Sequence, residues 1–193
     1  MEASCPVCHV LLEFTFLGSI EYDINRLKYV NDDKQRGTAM APTMKLQELD
    51  NPTLQRAGFA LMRELRPHLT DEAAFSEQIA RQYAHGYRLL GAYMDERIVG
   101  LIGYRATENL IYGRFVYVDD LVIDAGERQQ GLGAFLITAV RNEATRLGCQ
   151  HLVLDTGLHM ALAQRFYFRQ GLLARGMHFV QPLPLKQHQR DAA

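Results

Sequence analysis

The sequence predicts one α/β domain with a mixed sheet, and three observations carry that prediction. Its 193 residues suit a single well-filled domain. From Met44 onward, apolar residues alternate between strand and helix periods. A glycine-bearing loop joins a long strand-like run to the strongest amphipathic helix.

In chain order, Met44 to Leu49 reads as a short strand. Asn51-Pro52 supplies a helix cap and a proline at the first helical position, and Leu54, Ala57, Gly58, Leu61, Met62 and Leu65 recur at helical spacing until Pro67. Thr70 is expected to cap a second helix, with Phe75, Ile79 and Tyr83 four residues apart and Gly86 at its end. Tyr87 to Met94 and Arg97 to Thr107 read as a β-hairpin turned by Asp95-Glu96. Phe115 to Asp124 is a third long strand, rich in Val, Tyr and Ile. Leu132, Phe135, Leu136, Ala139, Val140, Ala144 and Leu147 line one face of the next helix, which Gly148 stops. His151 to Thr156 reads as a strand, Met160 to Arg169 as a helix, and Leu172 to Pro182 as a final strand pair or bent strand. The order is β-α-α-β-β-β-α-β-α-β, without internal repeats.

Residues 1–43 read differently. Asp32 to Thr43 is polar and carries Gly37 and Pro42, a linker-like composition. Met40 and Met44 fall where the regular pattern begins. The segment 1–43 is therefore either upstream of the true start or an extension that packs on the domain. Residues 44–185 form the domain, and 186–193 a polar tail.

Composition narrows the function classes. Hydrophobic residues are 48% and charged residues 22%, which excludes wholesale disorder. Lys and Arg number 21 against 22 Asp and Glu, a net charge of -1, so no electrostatic footprint marks a nucleic acid or an anionic membrane as partner. No apolar run approaches the ~20 residues that cross a bilayer. Val10 to Leu17 is broken by Glu13 and lacks the basic segment of a signal peptide, so the cytoplasm is the expected compartment. The three cysteines Cys5, Cys8 and Cys149 cannot build a disulfide framework, in keeping with a reducing compartment. Cys5-x-x-Cys8 with His9 lacks a second ligand pair at zinc spacing, so no metal site is expected.

The informative segment is Val118 to Phe135. A strand enters a loop holding Gly126, Gly131 and Gly133, and that loop opens directly into the amphipathic helix. Glycines let backbone N–H groups converge without Cβ obstruction, and a helix start adds free N–H donors and a positive dipole end. Such a loop is a phosphate cradle that needs no lysine. The bland alternative is a tight turn with close helix–sheet packing. Neither a Rossmann fingerprint nor a Walker loop fits, because Leu136 stands where the third glycine would be and no Gly-Lys-Ser/Thr follows.

Arg128-Gln129-Gln130-Gly131-Leu132-Gly133 resembles the Gln/Arg-x-x-Gly-x-Gly/Ala motif of the GNAT acetyltransferases, preceded by a matching strand that ends Leu121-Val122-Ile123. Ala163-Gln164-Arg165-Phe166-Tyr167 followed by Gly171 is similar to that family's signature on its last helix. The resemblance covers about residues 44 to 182. It departs at Met160, where many members carry Asn, and at Leu172, where Gly-Phe is typical.

The resemblance implies the GNAT acyl-CoA N-acyltransferase fold, with a mostly antiparallel central sheet and helices on both faces. It implies an N-acetyltransferase that moves an acetyl group from acetyl-CoA to a primary amine by direct attack. The acceptor is a small molecule or a protein amine. In the family, acetyl-CoA lies where two neighbouring strands splay at a β-bulge. Carried over, the backbone of Leu121, Val122 and Ile123 pairs with the pantetheine arm, and a freed N–H near Leu121 to Val122 polarises the thioester carbonyl. The loop Arg128, Gln129, Gln130, Gly131, Leu132, Gly133 and Ala134 holds the pyrophosphate. Tyr167 matches the tyrosine that donates to the leaving sulfur.

Asp119 and Asp120 are candidates to take the proton from the attacking ammonium. Strand alternation puts them on opposite faces, so at most one points into the cleft; a water relay is the other route. Glu127 stands too close to the phosphates to serve. His151, His159 and His178 read as surface or core residues, and Arg165 and Arg169 as a solvated helix face. Family members commonly pair through their last strands, so the resemblance allows a homodimer, although nothing in Leu172 to Leu185 establishes one. The reading of another class is an acyl-CoA-binding sensor or interaction module without turnover, which the departure at Met160 favours and the retention of Tyr167 opposes.

Overall fold

The computed structural model describes residues 20–21 and 44–183. Cys5, Cys8, His9, the polar stretch Asp32 to Thr43 and the tail 186–193 lie outside the described residues. A sheet of six strands runs in simple chain order: β1 (Ile20–Glu21), β2 (Met44–Glu48), β3 (Tyr87–Met94), β4 (Arg97–Asn109), β5 (Gly113–Ile123) and β6 (His151–Leu154). All neighbours are antiparallel except β5 and β6, which are parallel. That one parallel pair is connected by the long helix α4 (Leu132–Arg146), as a crossover requires. The mixed, mostly antiparallel sheet of the sequence reading is therefore present.

Helices cover both faces. On one, Leu132, Phe135, Leu136, Ala139, Val140 and Ala144 of α4 pack on Leu90, Ala92, Val99, Ile102 and Val116. On the other, Leu61, Met62, Phe75 and Ile79 pack on Leu49, Leu89, Leu101 and Val122. The first expected helix is two, α1 (Pro52–Ala57) and α2 (Phe59–Leu65), divided at Gly58. A Cβ there would meet Leu49 at 3.1 Å and Leu101 at 3.4 Å, so close packing on the sheet sets the break. The next helix, α3 (Glu72–Tyr83), is capped by Asp71 rather than Thr70: the Asp71 carboxylate accepts from the Ala74 N–H at 2.6 Å.

The last helix is α5 (Ala161–Arg169). The strand expected over Leu172 to Pro182 does not form among the described residues, which end at 183. Leu173, Phe179 and Val180 are exposed. Apolar alternation gives a strand its faces, but a strand also needs a neighbour to take its backbone bonds, and the described chain places none beside this segment. The N-terminal segment does reach the sheet at the opposite edge, where Ile20 and Glu21 pair with Leu46 and Lys45 of β2.

Two departures from regular pairing shape β5. Gly103 of β4 pairs with Asp120, yet the next residue, Tyr104, pairs with Val118, so Asp119 is an extra residue in β5. The β5–β6 pairing also stops at Val118 and Leu154, while β5 runs on to Ile123. Tyr87 crosses Gly103 so closely that a Cβ there would lie 1.9 Å from the Tyr87 hydroxyl. Gly103→Ala should therefore destabilise the fold by about 1–3 kcal/mol. Urea unfolding measures it; a variant as stable as the parent would show that the Tyr87 ring is free to move aside.

Candidate active site

The bulge decides where the acidic side chains go. In a regular strand, Asp119 and Asp120 would face opposite ways. Here the extra residue brings both to one cleft of about 340 Å³, lined also by Arg66, His68, Tyr87, Arg105 and Tyr117. The expectation that at most one reaches the cleft is corrected: two successive residues share a side because one of them is outside the pairing.

Each carboxylate is already engaged. Arg105 donates to Asp119 through Nε and Nη2, both at 2.9 Å, the two-pronged pairing that suits a planar guanidinium. Arg66 reaches over from the end of α2. Its Nε donates to Asp120 at 2.9 Å and its Nη2 donates to the Asp119 carbonyl at 2.9 Å. Tyr87 donates its hydroxyl to the other Asp120 oxygen at 2.9 Å. Burial pushes the Asp119 carboxyl above the usual carboxylate range, an effect Arg105 offsets only in part. The same pairing raises Arg105 in turn. Tyr87 is held well above the ordinary phenol range by burial and by the Asp120 charge, so it stays a donor.

Beyond the bulge, Asp120 to Ile123 has β4 on one side and no strand on the other. This is an open backbone edge, and it leads straight into the glycine loop. There Asp124 accepts from the Gly126 N–H at 2.8 Å, turning the chain out of the strand. Gln129 takes φ +66 and Gly131 φ +84, and Gly131 starts α4 without any side-chain cap. The first N–H groups of α4 are thus left for another acceptor, as an anion site needs. Arg128 donates through Nε to the Ile123 carbonyl at 3.1 Å, pinning the loop to the strand end. Arg97, from the hairpin, pairs with Asp124 at 3.1 Å and with Glu127. A second cleft, of about 360 Å³, lies outside this loop between Leu61, Glu64, Tyr93, Arg97 and Asp124.

Gly133 has a packing role as well. A Cβ there would meet the Phe166 ring at 3.0 Å, so α5 docks onto the start of α4 because residue 133 has no side chain. Tyr167 follows, its ring centroid 5.2 Å from that of Phe166. It is mostly buried, with no hydrogen-bond partner for its hydroxyl among the described residues, and burial raises its phenol above the ordinary range. Met160, at the cap position of α5, makes no side-chain cap bond. Among residues passed over as surface or core, His178 bonds to Asp155 at 2.6 Å, and Asp155 accepts from Tyr117. No sequence spacing pairs positions so far apart.

An open strand edge thus runs into a glycine loop at a helix start. Residues 48–172 match the Acetyltransferase (GNAT) family. An uncharacterized N-acetyltransferase of Bacillus subtilis (strain 168), YhdJ, is 28% identical over 109 residues, spanning 56% of this chain and 77% of its own. The aminoglycoside N-acetyltransferase AAC(6')-Iy, solved in complex with CoA, superposes with a TM-score of 0.68 at 18% identity, covering 77% of this chain and 99% of the other. An aminoglycoside acetyltransferase from an uncultured soil metagenomic sample, solved with sisomicin, gives 0.62 at 18% identity over 73% and 97%. At that identity the two structures establish the fold.

The chain belongs to the GNAT acetyltransferase family, and it is an acyl-CoA-dependent acyltransferase.

The loop's conformation is testable apart from any ligand. At φ +84, Gly131→Ala forces an L side chain into the left-handed region, at a cost of about 1–2 kcal/mol. Denaturant unfolding of the free protein should show that loss; an unchanged midpoint would mean that the loop relaxes around the new Cβ.

Proposed function

We propose that the protein transfers an acetyl group from acetyl-CoA to a primary amine by direct attack. The observation that carries this reading is the unpaired β5 edge running from the bulge into the uncapped start of α4. Backbone groups of Leu121, Val122 and Ile123 would pair with the pantetheine arm as an added strand would. The N–H groups from Arg128 through Gln129, Gln130, Gly131, Leu132 and Gly133 to Ala134 would take the pyrophosphate. With the phosphates at the loop, the arm runs back along β5, so the thioester comes to rest beside Asp119 and Asp120. The bulge lies at Asp119. The freed backbone donor that polarises the thioester carbonyl is accordingly sought there, slightly before Leu121.

Tyr167 acts as a hydrogen-bond donor to the leaving sulfur. A phenol of pKa ~10 protonating a thiolate of ~8.5 is already uphill by about 2 kcal/mol. Burial raises the Tyr167 phenol further, which strengthens its hold on the proton. Asp119 and Asp120, proposed from the sequence as bases, are better suited to shaping the acceptor cleft, since each already holds an arginine. Their charges are balanced by Arg66 and Arg105, so the cleft is not strongly anionic or cationic. An uncharged part of the acceptor would rest on Tyr87, Tyr117 and Leu69, which line the same cleft.

The reading is tested with acetyl-CoA and a panel of amines: an aminoglycoside, a polyamine, a free amino acid and a peptide with a free N-terminus. Thiol release that depends on one class of amine supports transfer; acetyl-CoA binding with no acetylation of any class supports a sensor instead. Tyr167→Phe should lower kcat about 10–100-fold, the worth of one hydrogen bond to a charged atom. Acetyl-CoA affinity should be spared. An unchanged kcat would remove the donor role.

A further inference from the structure

The segment after α5 does not line the cleft but reaches one of its wall residues, Tyr117, through Asp155. Gly171, at φ +80, turns the chain at the end of α5, and at His178 the segment meets the end of β6. There the His178 Nδ1 lies 2.6 Å from Asp155 Oδ2. The same Asp155 oxygen accepts from the Tyr117 hydroxyl at 2.5 Å, and Tyr117 shares the cleft wall with Asp119 and Asp120. Asp155 immediately follows Leu154, the last residue of β6 to pair with β5. The pair therefore stands where the two strands part, at the inner end of the open edge. The loop that carries Asp155 is tied down from α5, because Gln164 donates to the Gly157 and Leu158 carbonyls at 3.1 and 3.0 Å.

A carboxylate oxygen only accepts, so the shared proton belongs to Nδ1 and the basic lone pair of the neutral ring is on Nε2. Nε2 has no hydrogen-bond partner among the described residues. An imidazole oriented by a carboxylate is the usual device for moving protons near neutral pH. Asp119 and Asp120 lack that freedom, since their oxygens hold Arg105, Arg66 and Tyr87.

We propose that His178, oriented by Asp155, is the general base that deprotonates the acceptor ammonium. This rests on the acetyl-transfer reading and extends it. His178 Nε2 takes one proton from the ammonium and passes it to solvent. The freed amine nitrogen bonds to the thioester carbonyl carbon, the carbon–sulfur bond breaks, and its electron pair leaves on sulfur. The second nitrogen proton ends on that sulfur, giving an amide and a free thiol. Around Tyr117, which joins the pair to the cleft, stand Asp155, Asp119 and Arg105. The cleft wall also carries a second imidazole, His68, which the His178→Gln comparison separates from the first.

The test is the pH profile of thiol release from acetyl-CoA, between about pH 6 and pH 9.5, with whichever amine of the panel the full-length protein acetylates. It is run for the parent, His178→Gln and Asp155→Asn. His178→Gln should lower kcat/KM about 100-fold near pH 7, with the deficit shrinking as the pH rises and the amine loses its proton unaided. Asp155→Asn should give a smaller loss of the same pH form. Stabilisation by acetyl-CoA should match the parent in both variants, since neither residue lies on the phosphate loop. A His178→Gln protein with the parent rate and profile, or with a loss equal at every pH, overturns the assignment. A parent protein that binds acetyl-CoA yet acetylates no amine overturns the acetyl-transfer reading itself, and it does so before any substitution is made.

Discussion

A single inserted residue in β5 sets the layout of the site. Because Asp119 stands outside the β4–β5 pairing, Asp120 faces the same cleft, and from that point on the strand continues past the end of its pairing with β6. The first effect gathers two carboxylates where alternation would have separated them. The second leaves a stretch of backbone with donors and acceptors turned to the gap, and that stretch ends at the loop leading to α4. Gly103 across the bulge completes the arrangement by giving the Tyr87 ring room to reach Asp120.

Concentrating charge there has an electrostatic consequence. Burial, and to a lesser degree the neighbouring Asp120 charge, favours protonation of Asp119. Arg105 and Arg66 supply the compensating charge, and Arg66 also takes the Asp119 carbonyl that the bulge exposes. Removing either guanidinium would leave a partly buried carboxylate without its partner, which is more damaging than never having the pair. These aspartates therefore behave as part of the cleft's frame. The mobile proton in the proposed acetyl transfer is better handled by a side chain whose basic atom is unengaged, as Nε2 of His178 is among the described residues.

Much of the fold was legible because its signals are local. The hairpin at Asp95-Glu96 needs only two apolar runs and a short turn, and the α4 face needs only its own periodicity. The glycine loop was legible for the same reason: strand, glycines and helix are contiguous. The bulge was not, because an extra residue is defined against β4, and β5 alone reads as one long strand. The break at Gly58 depends on Leu49 and Leu101, and the role of Gly133 on Phe166, all distant in sequence. Leu172 to Pro182 failed in the opposite direction, since its alternation is strand-like and no neighbour strand stands beside it among the described residues. His178 meets Asp155 through that same segment, a contact that no periodicity encodes.

We propose that the open β5 edge and the uncapped start of α4 form a seat for acyl-CoA. Thermal unfolding of the full-length protein with and without saturating acetyl-CoA tests it most directly. A ligand held at ~100 times its dissociation constant adds about 2.7 kcal/mol to the folded state. The expected result is a higher midpoint with acetyl-CoA, from a gain of that order, and a smaller gain for a variant with Gly131→Ala in the loop. A folded protein whose midpoint is the same with and without acetyl-CoA would contradict it.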